Sequence, residues 1–324
     1  MPEITFIRAV NQALADEMRR DERVLVVGED VAEGGPYGAT RDLAGEFGVR
    51  RVRNTPISES TVTGMAIGLA FAGFRPVLEI MFIDFITLAL DQLVNQGAKA
   101  RYMSGGQLAC PLVVRTQGGA GVRSGAQHSQ SLEAWLLHVP GLKIVMPSNP
   151  ADAAGLLRSA IRSDDPVVMV ENKAIYYRRM AVPDDLPPVP LGVASLVRPG
   201  RDVTVLATSR LVGDALEAAE LLAAEGVQVE VIDPRTLRPL DTGTLLGSVE
   251  RTHRLVVAHE AVTEYGFGAE VAAIVQERLL DRLEAPVLRV GAPFAPIPAS
   301  APLEDLYRPG RDAVVAAIRE SLRW

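Results

Sequence analysis

A carboxylate stands at the start of an apolar segment, in the run Thr55-Pro56-Ile57-Ser58-Glu59-Ser60. A helix is expected to begin here, with Ser58 as its N-cap and Glu59 in its first turn, where exposed backbone N–H groups favour negative charge. Such a structural role is common for a residue at this position. Because Ile57 and Val62 are apolar, the Glu59 carboxyl could also lie in a dry pocket and exchange a proton with a bound partner.

A glycine-rich stretch with one histidine follows a predicted strand, from Gly118 to Gln130. Its four glycines would allow the backbone to approach a ligand closely, and His128 could act there as a general acid or base. Surface loops without a catalytic role also carry half-solvated histidines. The stretch is therefore a second candidate for chemistry, beside Glu59.

Sites for other cofactors and nucleophiles receive little support. The run Gly119-x-Gly121-x-x-Ser124 lacks the third glycine of a nicotinamide-binding turn, and no helix is predicted directly after it. The sequence contains no P-loop pattern, no Gly-Asp-Gly and no Gly-x-Ser-x-Gly. Its four histidines are scattered and Cys110 is its single cysteine, so the spacing of a zinc site is missing.

The composition is that of a globular protein that binds neither nucleic acid nor a membrane. The 324 residues are 48% hydrophobic, and the net charge of -7 disfavours an anionic partner surface. No apolar run approaches the ~20 residues that a membrane-spanning helix needs. Since Cys110 has no partner for an intrachain disulfide and the amino terminus has no export pattern, we expect a cytoplasmic protein.

The first half of the chain alternates short apolar runs with helical patterns. Such runs, without polar alternation, are typical of a parallel sheet that is buried on both faces. Between them, apolar residues recur at helical spacing. The predicted strands are Val24-Val27, Val77-Met81, Leu112-Arg115, Lys143-Met146 and Val167-Val170, and the predicted helices include Ser60-Ala72, Phe85-Ala100 and Ala151-Ile161. The pattern predicts an α/β domain with helices on both faces of the sheet.

Proline density marks a boundary between two α/β domains. Five prolines fall between Ala181 and Gly200, which prevents regular helix and favours an extended linker. Strand and helix patterns then resume. We expect a first domain at 1–182, a linker at 183–201 and a smaller domain at 202–324, since domains of ~120 residues are common.

Six short motifs, in order, resemble the β subunits of the thiamine-diphosphate-dependent 2-oxo acid dehydrogenases, which act on pyruvate, branched-chain 2-oxo acids and acetoin. The motifs are Gly28-Glu29-Asp30-Val31, Thr55-Pro56-Ile57-Ser58-Glu59, Asp91-Gln92, Tyr102-Met103-Ser104-Gly105-Gly106, Ala126-Gln127-His128-Ser129-Gln130 and Pro140-Gly141-Leu142-Lys143. The resemblance extends over the whole chain and implies a pyrimidine-binding domain followed by a transketolase-like carboxy-terminal domain.

The resemblance implies a role for four residues. Glu59 matches the glutamate that hydrogen-bonds N1′ of the thiamine aminopyrimidine and promotes the imino tautomer, which removes the thiazolium proton. Phe85 matches an aromatic residue that packs on the pyrimidine face, and Ile57 is expected to contact the cofactor as well. His128 matches the histidine that handles protons during decarboxylation and transfer to a lipoyl group.

The resemblance also implies partners and ions. In this family the α subunit holds magnesium and the diphosphate, which explains why this chain has no Gly-Asp-Gly. We therefore expect an α2β2 heterotetramer that docks to a lipoyl acyltransferase core. A potassium site is implied at Leu112, Ala160, Ile161, Ser163 and Asp165, chiefly through carbonyl oxygens. Ser163 stands where an acidic residue is common in the family.

The substrate is less well defined than the family. Branched-chain members tend to have Tyr in place of Phe85 and an extra His where this chain has Gln127, which favours pyruvate or acetoin. A self-sufficient transketolase-like enzyme is disfavoured by the chain length and by the missing Gly-Asp-Gly. A non-catalytic assembly or docking paralogue is a further alternative, against which the presence of Glu59, Phe85 and His128 counts.

Overall fold

The computed structural model describes residues 3–183 and 185–324. The described strands are β1 (Glu3–Thr5), β2 (Val24–Gly28), β3 (Val52–Asn54), β4 (Arg75–Ile80), β5 (Val113–Gly118), β6 (Lys143–Val145), β7 (Val167–Asn172), β8 (Arg179–Ala181), β9 (Ser195–Arg198), β10 (Val203–Ala207), β11 (Val229–Asp233), β12 (Thr236–Arg238), β13 (Leu255–Val262) and β14 (Leu288–Ala292). They form two large sheets and a small β1–β8 pair.

Helices alternate with these strands. They are α1 (Phe6–Arg20), α2 (Leu43–Phe47), α3 (Glu59–Phe71), α4 (Ile86–Asp91), α5 (Ala100–Met103), α6 (Glu133–Leu137), α7 (Pro150–Arg162), α8 (Leu211–Ala223), α9 (Thr242–Thr252), α10 (Phe267–Leu279), α11 (Ala301–Tyr307) and α12 (Arg311–Ser321). Among the helices of the described residues, none combines the length and the apolar character needed to cross a membrane.

The first sheet has seven strands in the order β12-β6-β7-β5-β4-β2-β3. Every neighbouring pair is parallel except β12–β6. The expected α/β class and mainly parallel sheet are confirmed, and the central strands are buried on both faces, as their mostly apolar runs indicate. Strand β12 comes from the second half of the chain and joins the two halves at this sheet.

The second sheet has the order β14-β13-β10-β11-β9. Only β9 is antiparallel to its neighbour, β11. This strand, Ser195–Arg198, lies inside the stretch 183–201 for which prolines predict a linker. Because Pro190 and Pro199 flank the strand rather than interrupt it, the extended chain can pair at the sheet edge. The domain boundary at 183–201 stays a prediction. The first residue of the second sheet, Ser195, lies within that range.

Two predicted helix features differ from the structure. Ser58 occupies the N-cap position of α3, but its side chain makes no capping bond and instead donates to Thr61 Oγ1 at 2.9 Å. The single helix predicted at Phe85-Ala100 is interrupted, because α4 gives way to a π-helical turn at Gln92–Gly97. A π-turn carries one more residue per turn than an α-helix, so it shifts the side chains that follow. At the start of α1, by contrast, the Thr5 side chain caps the helix by accepting a hydrogen bond from Arg8 N.

A fully buried ion network crosses three strands of the first sheet. The Arg115 guanidinium donates to both oxygens of Glu171, at 2.7 and 2.9 Å, and to Glu79 Oε2 at 2.6 Å. The Tyr176 hydroxyl donates to Glu171 Oε2 at 2.7 Å. Burial opposes the charged form of Arg115, but the two carboxylates outweigh burial and raise its pKa. The network therefore joins β4, β5 and β7 beneath the edge where these strands end.

The free energy of unfolding is expected to fall as the pH rises from about 4 to about 7, because the folded chain holds a proton on Asp233, at the end of β11. Burial raises the pKa of Asp233 to about 7 and Asp152 adds to the effect, while Ser148 and Arg235 oppose it. The folded chain thus holds a proton that the unfolded chain loses at about pH 4, so the stabilisation is complete below that pH and lost through about pH 7. Measured by urea denaturation, the free energy of unfolding should depend less steeply on pH in Asp233→Asn than in wild type, by up to ~1.4 kcal/mol per pH unit. An unchanged slope would contradict the assignment of this effect to Asp233.

Candidate functional site

The candidate site lies along the carboxyl edge of the first sheet. Five neighbouring parallel strands end there, in the order β7-β5-β4-β2-β3. Polar or aromatic residues follow each strand, namely Lys173 after β7, His128 after β5, Phe82 and Phe85 after β4, Glu29 after β2 and Glu59 after β3. In open α/β sheets, ligands bind outside the carboxyl ends of strands. The fold thus brings all of the candidate catalytic residues to one edge.

Glu59 lies at one side of this edge and is half-exposed in the first turn of α3. Beside it, Ile57 is 80% exposed, and the Thr55 hydroxyl is buried without a hydrogen-bond partner. Partial burial raises the pKa of Glu29, and the nearby Glu59 carboxylate adds to this effect. The Glu29 carboxyl near Glu59 therefore holds a proton more readily than a fully exposed glutamate does.

His128 lies at the other side, in an aromatic cluster. The rings of Phe82 and Phe85 meet the imidazole edge-on, with centroids 4.9 and 5.3 Å away. The ammonium of Lys173 donates to the carbonyl oxygen of His128 and lies 4.9 Å from the Phe82 ring centroid. Burial lowers the pKa of Lys173 to about 8, although Asp84 favours its charged form. The structure therefore brings His128 and Phe85 together, as expected of site residues.

The separation of Glu59 from this cluster follows from the strand order. Strand β3, which precedes Glu59, stands three positions from β5, which precedes the His128 loop. Neighbouring strands are ~4.8 Å apart, so the two strands are roughly 14 Å apart. The two candidate catalytic residues could thus serve different parts of one elongated ligand.

Sequence reasoning missed Phe82, Lys173 and Glu29 as members of the site. Lys173 had a usable signal, since the polar pair Asn172-Lys173 directly follows an apolar strand. Glu29 follows β2 in the same way. No sequence signal marks Phe82, because its residue type does not indicate the positive φ of 64° that its backbone adopts.

Two buried carboxylates of the second domain hold the glycine-rich stretch. Glu260 accepts from Ala120 N at 2.6 Å, and Glu304 accepts from Gly121 N at 2.9 Å and from Arg123 Nη1 at 2.6 Å. At Gly121 φ is +112° and a Cβ atom would lie 2.7 Å from the Arg308 guanidinium carbon. Glycine is favoured at position 121 because other residues rarely adopt this positive φ, and because the Arg308 guanidinium would have to move to make room for a side chain. We call Glu260 and Glu304 the carboxylate clamp.

Neutralising one member of the clamp is expected to loosen the loop that carries His128. In Glu304→Gln the amide can still accept one bond but loses the charge-assisted contact with Arg123, which should cost about 1–3 kcal/mol of unfolding free energy. Hydrogen exchange at the Gly121 and Arg123 amides should accelerate. Glu320→Gln, at an exposed position of α12, is the matched control; equal exchange in both variants would argue against the clamp.

The segment expected to bind potassium does not fit a metal ion. Ile161 O and Ser163 O accept from Arg75 Nη1 at 3.0 and 3.1 Å, and Leu112 O accepts from Val167 N. Ser163 N donates to Ala160 O, so this oxygen is also bonded. The Asp165 carboxylate is paired with side-chain cations. Among the described residues, no group of three or more His, Cys, Asp or Glu side chains is arranged to hold a metal.

Two known families match successive parts of the chain. Residues 2–178 match the family described as "Transketolase, pyrimidine binding domain", and residues 192–314 match "Transketolase, C-terminal domain". A solved structure titled "Split gene transketolase, inactive beta4 tetramer" superimposes with a TM-score of 0.82 over 99% of this chain and 98% of that one. Its sequence identity is 24%, so it supports the fold alone.

Curated relatives match almost the full chain. "Acetoin:2,6-dichlorophenolindophenol oxidoreductase subunit beta" of Bacillus subtilis (strain 168) is 45% identical, with 98% of this chain and 97% of the relative covered. "Pyruvate dehydrogenase E1 component subunit beta" of Rickettsia felis is 43% identical, with 98% of both chains covered. Together with the two matched domains and the residues at the sheet edge, these similarities establish that the chain belongs to the β-subunit family of the thiamine-diphosphate-dependent 2-oxo acid dehydrogenases.

Proposed function

We propose that this chain supplies half of the active site of a 2-oxo acid dehydrogenase, with pyruvate as the substrate. Its α partner would complete the site in an α2β2 heterotetramer and would hold magnesium and the cofactor diphosphate. The acyl group would then be transferred to a lipoyl group of an acyltransferase core. The observation that carries the proposal is the common sheet edge that presents Glu59, Phe85 and His128. Cys110 is buried and unpaired, which agrees with a proposed cytoplasmic location.

The residues around Glu59 fit the aminopyrimidine part of thiamine diphosphate. The half-exposed carboxyl of Glu59 can exchange a proton, and the exposed Ile57 side chain offers an apolar contact. The Thr55 hydroxyl is buried without a hydrogen-bond partner, so it offers a free polar atom. Glu59 would hydrogen-bond N1′, and Ile57 and Phe85 would contact the ring. When bound, the cofactor supplies a carbon nucleophile for the substrate carbonyl. Glu59 would hold and return the proton at N1′.

His128 is suited to move a proton at the reacting end of the site. Phe82 and Phe85 exclude water from two of its sides, and the Lys173 ammonium holds its carbonyl oxygen. We therefore propose that His128 transfers a proton during catalysis.

Acetoin is the second candidate substrate. The 45% identity to a β subunit whose name contains acetoin supports it, as does the presence of Phe85 and Gln127 in place of the residues typical of branched-chain members. Either substrate would meet Glu59, Phe85 and His128 of this chain, and the α subunit would contribute further substrate contacts.

Reconstitution tests the proposal directly. This chain should be co-expressed with an α-type subunit of the same family, and dye reduction should be measured with pyruvate, acetoin and branched 2-oxo acids. We expect turnover that requires both chains and thiamine diphosphate, and that is fastest with pyruvate. Faster turnover with acetoin would favour the second candidate, and turnover by this chain alone would contradict the shared site.

A further inference from the structure

The Arg75 guanidinium contacts two of the carbonyl oxygens at which the family resemblance implies a potassium ion, those of Ile161 and Ser163. Arg75 opens β4, and its side chain reaches the carboxyl end of α7, where it donates to Ile161 O at 3.0 Å, Ser163 O at 3.1 Å and Asp164 Oδ1 at 2.7 Å. The side chain is only 16% exposed. A cation is favoured there, since the last carbonyl groups of a helix carry partial negative charge.

Two further cations surround the same segment. Lys143 Nζ donates to Ser163 Oγ at 3.1 Å and pairs with Asp165 Oδ2 at 3.0 Å. Arg101 donates to Asp164 O at 3.1 Å and to Asp165 Oδ1 at 2.6 Å. The segment thus presents three side-chain cations against the two carboxylates of Asp164 and Asp165.

An added potassium ion would be repelled from this arrangement. An ion that shared Ile161 O and Ser163 O with the guanidinium would lie close to a like charge, and like charges repel at short range even at the effective dielectric of a protein surface. It would also compete for oxygens that already accept hydrogen bonds. Because the guanidinium belongs to the chain itself, no cation has to be taken up from solution to satisfy these oxygens.

We propose that Arg75 is the resident cation of the Ala160–Asp165 segment, so that this subunit needs no potassium ion for its stability. The guanidinium joins β4 to the end of α7 through three oxygens, namely Ile161 O, Ser163 O and Asp164 Oδ1.

Thermal unfolding of the full chain tests the proposal. In wild type, the Tm should be equal in KCl and NaCl at the same ionic strength. Arg75→Ala should lower the Tm by about 3–6 °C, because two carbonyl oxygens and a carboxylate lose their donor. Arg201→Ala is the control, since that guanidinium is 82% exposed and lies 3.8 Å from Asp202; its Tm should be unchanged. A Tm for Arg75→Ala equal to that of the control would overturn the proposal.

A direct probe of the site uses thallium(I), which substitutes for potassium and scatters X-rays anomalously. Wild-type crystals soaked in thallium(I) should show no anomalous peak within bonding distance of Ile161 O and Ser163 O. A peak at those oxygens, or a rise of wild-type Tm in KCl over NaCl, would show that an ion is bound despite Arg75 and would refute the proposal. Because this arm uses wild type, it remains decisive even if Arg75→Ala does not fold.

Discussion

Replacing Glu59 by Gln, in a heterotetramer reconstituted with the α partner, is expected to lower turnover by about 10²–10⁴-fold, the range that a general acid–base group contributes. Glutamine has the size of glutamate and leaves the first turn of α3 intact, but it cannot take up or return a proton. The loss should fall on kcat, because the ring contacts proposed for Ile57 and Phe85 are kept. Steady-state dye reduction with pyruvate measures kcat and KM separately.

The control for this prediction is Glu270→Gln. Glu270 is exposed in the first turn of α10, so the substitution has the same chemistry at an equivalent helix position. Assembly of both variants should equal wild type, as judged by size-exclusion chromatography with the α chain. Wild-type turnover by Glu59→Gln would favour a non-catalytic docking role for this chain, whereas failure of Glu59→Gln to assemble would point to a structural role for the α3 terminus.

Arg115→Met is expected to lower the free energy of unfolding by about 3–5 kcal/mol, the range for breaking a buried ion pair by removing one partner. The variant leaves Glu79 and Glu171 buried, with side chains at most 2% exposed, and without their cation. Tyr176 would still donate to Glu171, but Glu79 would keep only a long contact of 3.4 Å from Gln117. Methionine fills much of the volume, so the loss of charge pairing dominates.

The pH dependence identifies the cause of this loss. Burial raises the pKa of Glu79 even beside Arg115, and loss of that cation removes the charge that opposes the effect of burial. The neutral form of Glu79 is then favoured further in the fold, so the deficit of Arg115→Met should be smaller at about pH 5 than at about pH 8. Urea denaturation at both pH values measures it. Arg311→Met is the control, because that guanidinium pairs with an 87% exposed Asp312; a deficit independent of pH would indicate a packing defect instead.

Much of the architecture follows from local sequence patterns. Unbroken apolar runs such as Val167-Val170 predict strands buried on both faces, and the observed β7 contains that run. Glu59 was located by its position before an apolar helix, and His128 by the glycines that precede it. These features depend on residue type and on spacing within about one element, which is the range over which periodicity and capping act.

Other features depend on contacts between distant parts of the chain. Ala120 and Glu260 are 140 residues apart, and no local pattern indicates that a strand of the second sheet anchors the loop of the first. The interruption of the helix predicted at Phe85-Ala100 and the antiparallel strand β9 within the proline-rich stretch are likewise outcomes of packing and sheet pairing. Tertiary context overrides local propensity in such cases.

The sequence by itself determined the family, the succession of strands and helices, and the residue types available for proton transfer. Only the tertiary structure decided what surrounds them: the aromatic rings and Lys173 around His128, the carboxylate clamp on its loop, and Arg75 at the carbonyl oxygens of Ile161 and Ser163. The physical reason is that burial and charge pairing arise where strand order and domain packing bring remote side chains within hydrogen-bond distance, which short-range sequence patterns do not encode.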